Sequence, residues 1–184
     1  MSLFRRLIGA TPKEELKGIR LDVNQPFWEL DGETDFPSLL RALIGFLPDG
    51  CTLYFEGGSS EGELLQFMKS RQIGERVHVA VGTVWPRPKY YHIPATTENL
   101  SELARIAEHH AEPELAIHFH IYREENIILE WHDAFTQPML LAGTLEEEKV
   151  KTLAKALNME VTKWKNGSEQ DVPPDRQESA PASR

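Results

Sequence analysis

The alternation of apolar and polar positions is clearest between Leu115 and Asp133, LAIHFHIYREENIILEWHD. Ile117, Phe119 and Ile121 alternate with His118, His120 and Tyr122; Ile127, Leu129 and Trp131 alternate with Ile128, Glu130 and His132. A period of two predicts two strands, and the polar break between them predicts a hairpin. Glu124, Glu125 and Asn126 fit a three-residue loop, with Asn126 in the left-handed conformation that Asn tolerates. Arg123 then pairs with Ile127, Ile121 with Leu129 and Phe119 with Trp131. On the polar side His120 faces Glu130 and His118 faces His132. A slip of one residue would mix the two faces, so pattern and turn select the same register.

The same reading runs along the rest of the chain. Ile19, Leu21 and Val23 alternate with polar residues, predicting a half-exposed strand that Pro26 interrupts; Phe27, Trp28 and Leu30 continue it or turn its corner. Thr34 and Asp35 are cap candidates for a helix with Pro37 near its first turn and Leu39, Leu40, Leu43, Ile44 and Leu47 as its buried stripe. Cys51 to Glu56 reads as a strand, with Leu53 and Phe55 inward and Tyr54 and Glu56 outward. Ser60 and Glu63 have capping-box spacing ahead of a helix at 61–70. Val77 to Trp85 reads as a third strand, and Tyr90 to Ile93 as a return strand. Asn99 with Glu102, and Thr144 with Glu147, have the same capping-box spacing before two further helices. Pro138 to Ala142 is predicted to be the hairpin's neighbour, and Met159 to Trp164 an edge strand. From Asn166 the chain is polar and Pro-rich, which predicts a disordered tail over 166–184 behind a single domain over 1–165.

Nearly every predicted strand has one apolar and one polar face, whereas a doubly wound parallel sheet has strands that are apolar throughout. The expected fold is therefore α+β: a two-layer sandwich, with a mixed or largely antiparallel sheet, helices on one face and the other face open. Arg20, Asp22, Tyr54, Glu56, His78, His118, His120, Tyr122, Glu130 and His132 would share that open face.

Composition narrows the function classes. Forty per cent hydrophobic and 27% charged residues in 184 is an ordinary globular balance. A net charge of −9 argues against nucleic-acid binding through phosphate neutralisation and leaves a basic protein partner or a cation. The single Cys51 suits a reducing compartment. Phe4, Leu7 and Ile8 suggest one docked helical turn, too little for a secretory signal, and no run approaches the roughly 18 apolar residues of a membrane span. The expected location is cytoplasmic.

Three histidines and a carboxylate on one hairpin face form the most chemical constellation. Residues two apart on a strand lie about 6.5–7 Å apart on one side, and opposed Cβ atoms about 4.5–5.5 Å apart. His118, His120 and His132 can thus reach one zinc or other divalent metal, with Glu130 as ligand or as acceptor for an imidazole N–H. Gly58-Ser59-Ser60-Glu61-Gly62 matches a nucleophile elbow, but Glu56, Glu61 and Glu63 crowd the place of an oxyanion, and a helix cap explains Ser60. Cys51 reads as a buried thiol. The Trp85–His92 segment carries Trp85, Arg87, Tyr90 and Tyr91, residue types favoured at interfaces.

The leading expectation is a non-catalytic binding protein without a cofactor. It would hold a partner on the open face through Tyr54, Glu56 and Tyr122 and on the loop through Trp85, Arg87, Tyr90 and Tyr91. In size, acidity and one-sided build it is similar to immunity and adaptor proteins at the level of class only. The alternative is a metal-binding protein or metal-dependent hydrolase built on His118, His120, His132 and Glu130.

Overall fold

The protein is described by a computed structural model over residues 18–80 and 88–165, together with the backbone of 169–170. Thirteen elements follow in order: β1 (Phe27–Asp31), α1 (Phe36–Leu43), β2 (Thr52–Glu56), α2 (Gly62–Arg71), β3 (Tyr90–Pro94), α3 (Thr97–Ala107), α4 (Glu112–Leu115), β4 (His118–Arg123), β5 (Asn126–Trp131), β6 (Met139–Ala142), α5 (Glu147–Ala156), β7 (Glu160–Lys165) and β8 (Glu169–Gln170). The strands form one sheet in the order β3-β2-β4-β5-β6-β1-β7-β8, and the neighbours pair antiparallel. The expected α+β sandwich is the observed fold.

One face carries the main core. Trp28, Leu30, Leu53, Phe55, Ile93, Phe119, Ile121, Leu129, Trp131, Met139 and Leu141 meet apolar side chains of α1, α2, α3 and α5 there. Phe36 of α1 stacks on Phe135 at 4.7 Å and stands edge-on to Phe119 at 5.0 Å. Such aromatic pairs add to what their area alone contributes. Asp35 caps α1 as its position suggests: its carboxylate accepts the Ser38 N–H at 2.7 Å.

Several local expectations are corrected. Thr96, whose Oγ1 accepts the Asn99 N–H at 3.1 Å, caps α3, so the helix starts three residues before the predicted box. Glu61 and Glu146 stand at the N-caps of α2 and α5 without a side-chain cap bond, so neither predicted box forms there. Met159 to Trp164 becomes β7, but it lies between β1 and β8 rather than at the edge; β8 itself falls in the stretch read as tail. The other tail residues, residues 1–17 and the loop residues Trp85 and Arg87 lie outside the described residues.

The larger correction concerns the open face, which is covered. Residues 19–23 and 77–80 do not join the sheet as strands; Ile19 and Val79 form an isolated parallel bridge. Ile19 N–H donates to His78 O at 2.8 Å and Ala80 N–H to Ile19 O at 3.0 Å. The Cβ of any other residue at Gly18, whose φ is +158°, would lie 2.5 Å from Ala80 N, so only glycine permits this approach. Ile19, Leu21, Val77 and Val79 then pack on Tyr54, Tyr122 and Ile127, a second small apolar cluster behind the sheet. Strands that alternate in sequence are in consequence buried on both faces, β2 along its whole length.

Candidate functional site

The hairpin β4–β5 keeps the predicted register where it matters: Phe119 pairs with Trp131, His120 with Glu130 and Ile121 with Leu129. Its turn differs. Arg123 pairs with Asn126, leaving a two-residue loop, and the extra residue is absorbed as a bulge beyond Ile121. Glu124, not Asn126, takes the left-handed conformation at φ 54°. The bulge puts Ile127 beside Tyr122 under the cover, while Ile128 joins the main core.

The hairpin's polar face is a buried network. His118 Nδ1 and His132 Nδ1 are 3.0 Å apart, and His132 Nε2 donates to Glu130 Oε2 at 3.3 Å. With Nε2 protonated, neutral His132 presents the Nδ1 lone pair, so His118 Nδ1–H is the donor between the two rings. Glu130 Oε1 accepts the Leu21 N–H at 2.7 Å, which ties the cover to the sheet. Next to this chain His120 is 2% exposed, and neither of its ring nitrogens has a hydrogen-bond partner. Its ring centroid stands 5.1 Å from that of His132 and 5.5 Å from that of Tyr54.

Burial dominates the electrostatics. It holds His120 down at about 3 and His118 below the usual histidine range, with the neighbouring His132 adding to the effect. Burial alone would raise Glu130, but the His132 bond and the neighbouring imidazoles outweigh it and its carboxyl sits below the ordinary value. Tyr54 is pushed well up, first by burial and then by the charge of Glu56, whose Oε2 accepts the Tyr54 hydroxyl at 3.3 Å. On β3, His92 Nδ1 lies 2.9 Å from the Tyr122 hydroxyl, and burial lowers its pKa.

The predicted site residues therefore divide. His118, His120, His132 and Glu130 do share one face and one network. Among the described residues, however, no three His, Cys, Asp or Glu side chains converge as a metal site. Tyr54, Glu56 and Tyr122, expected to meet a partner, are buried at 2%, 0% and 2% exposure, and the cover packs on the two tyrosines. Tyr91 is buried on the core side. Tyr90 is exposed at 48%, the one large hydrophobic residue so exposed among the described residues.

The elbow-like loop is structural. Ser60 Oγ donates to Glu114 O at 3.2 Å. A Cβ at Gly58 would lie 2.8 Å from the same oxygen, and one at Gly57 2.7 Å from Ile117, so both glycines permit close packing rather than build an oxyanion site. Cys51 is a free buried thiol that burial pushes up to about 11, the opposite of an activated nucleophile.

One feature of the site has no signature in the sequence. Asp133, Ala134 and Phe135 all take positive φ (53°, 51° and 67°) directly after His132. A non-glycine residue in this region costs roughly 1–2 kcal/mol. The turn is held by Phe135 N–H to His132 O at 3.0 Å, Ala134 N–H to Ile117 O at 2.9 Å and Thr136 Oγ1 to Asp133 O at 2.8 Å. It drives Phe135 between Phe36 and Trp131. Beside it, residues 32–35, Glu112, Phe135 and Thr136 line a groove of about 470 Å³. Glu33, Asp35 and Glu112 are exposed there.

No family model, curated protein or solved structure matches this chain. Among the described residues, no helix is long and apolar enough to cross a membrane.

Proposed function

We propose that this chain is a non-catalytic binding protein of the cytoplasm that receives a basic segment of a protein partner. The receiving surface in this reading is the groove at the strained turn, since the sheet face first expected to do so is covered. The observation that carries the reading is the groove itself: Glu33, Asp35 and Glu112 line it, among the described residues no cationic side chain does, and Phe135 closes one wall. Exposed carboxylates along a concave surface suit a Lys or Arg side chain, whose charge meets the acids while its stem lies along the groove. Backbone strain of the kind seen at Asp133–Phe135 collects at ligand-holding sites. A buried reduced Cys51 and a charge of −9 agree with a cytoplasmic, cation-seeking protein.

The test is fluorescence anisotropy with a labelled Lys/Arg-rich peptide. The double variant Glu33→Lys/Glu112→Lys should weaken binding by at least ten-fold. Glu124→Lys/Glu125→Lys at the exposed hairpin tip, with the same change in net charge, should leave it within two-fold at 0.15 M salt. Equal weakening by both pairs would reduce the interaction to overall charge and remove the groove from the reading.

A further inference from the structure

Two imidazole nitrogens meet in the hairpin network, His118 Nδ1 and His132 Nδ1, at 3.0 Å. With metal–nitrogen bonds of about 2.0–2.1 Å, two histidines on one tetrahedral ion place their nitrogens about 3.3 Å apart. The pair is thus within a few tenths of an ångström of ligating distance. His132 is also oriented as a metal ligand commonly is. Its far nitrogen, Nε2, donates to the carboxylate of Glu130, which leaves Nδ1 with the lone pair. Glu130 is itself fixed by the Leu21 N–H.

Three further observations bear on an ion at this place. His120, stacked edge-on to His132, is buried with both nitrogens unpartnered; an unmet buried polar group is destabilising, which a ligand bond would offset. Burial and His132 weigh against positive charge on His118, while the carboxylates of Glu56, Asp133 and Glu130 act the other way and would face an ion held there. The His132 side chain is 25% exposed, which provides a route from solvent.

We propose that His118 and His132 form a binding site for a divalent first-row transition metal of the zinc class. His120 completes the donor set by turning its ring, and Glu130 acts as the positioning residue for His132. No three donors converge beforehand, so the site closes on the ion rather than standing preformed. On binding, His118 moves its proton from Nδ1 to Nε2, and the His118–His132 hydrogen bond is replaced by two metal–nitrogen bonds. Imidazole donors select zinc, copper, nickel or cobalt over calcium and magnesium, which take oxygen ligands. The site uses none of the groove's residues, so it holds or fails independently of peptide binding.

The experiment is isothermal titration of full-length, tag-free, chelator-treated protein with Zn²⁺ alone, followed by Co²⁺ loading read by its visible absorption. The expected result is one Zn²⁺ per chain with micromolar or tighter Kd, and a tetrahedral Co²⁺ spectrum. His132→Gln, at a partly exposed position, should lose at least 100-fold in affinity while keeping its far-UV circular dichroism. Glu130→Gln should lose about 10–100-fold, as removal of an orienting carboxylate does. Wild-type protein that takes up no Zn²⁺ at 100 µM, or a folded His132→Gln that binds as wild type does, would overturn the proposal.

Discussion

His92 shows how one side chain reports on its burial. Its imidazole is 3% exposed and bonded to Tyr122, and burial holds its pKa below 6.5 in the folded state. The unfolded chain therefore binds a proton at this residue at a higher pH than the folded chain. The stability that His92 confers as a neutral group is complete above about 6.5 and is lost as pH falls below it toward the folded pKa. The slope in that window approaches about 1.4 kcal/mol per pH unit. Urea unfolding at pH 7.5, 6.5 and 5.5 should show the decline, and the His92 imidazole should titrate by NMR with a midpoint below 6.5. A midpoint at or above 6.5 would mean that the ring is solvated or paired with a charge.

At the scale of the element, the hairpin turn is built against its own sequence. A two-residue loop with positive φ at its first position favours glycine there, yet Glu124 occupies it at φ 54°. Glu124→Gly should stabilise the protein by up to about 1 kcal/mol, because relief of the left-handed strain exceeds the entropy cost of glycine. A lower urea midpoint for this variant would show that the Glu124 side chain contributes more than its backbone costs. The turn after β5 is a different case. There the strained residues Asp133–Phe135 deliver an aromatic side chain to the core, so the strain is offset by packing. Phe135→Ala should cost about 3–5 kcal/mol, the range for deletion of a buried phenylalanine, measured by the same unfolding. A cost under 1 kcal/mol would remove the packing explanation for the turn.

At the scale of the molecule, the polar sheet face is closed by two segments far apart in the chain, and their hold on the sheet includes the Leu21–Glu130 bond. Glu130→Ala leaves the partly buried Leu21 N–H and the His132 Nε2–H without an acceptor, and stability should fall by about 2–3 kcal/mol, as for loss of hydrogen bonds to a charged group. Hydrogen exchange should then rise first in residues 19–25 and 77–80, ahead of β4 and β5. Exchange that rises equally across the sheet would show that the cover is not a separate unit.

Much of this arrangement was legible because it follows from local periodicity. The strand period set which residues of β2, β4 and β5 share a face, and the match of Phe119 with Trp131 and of His120 with Glu130 follows from alternation plus a short turn. The α+β architecture and the Asp35 cap were readable for the same reason: each depends on residues within one or two turns of chain. The cover was not readable. Ile19, Leu21 and Val23 have the alternation of a strand, and nothing local says that Ile19 and Leu21 will lie across a sheet instead of within it. That outcome rests on contacts between residues 109 apart, as from Leu21 to Glu130, and on a glycine that lets two segments touch. The bulge and the left-handed turn were hidden likewise, since Glu124, Ala134 and Phe135 carry no intrinsic preference for positive φ. The sequence alone determined which side chains gather on the hairpin. Only the tertiary structure decided that they gather in a buried network rather than on an open face, because burial depends on what distant segments bring to the same place.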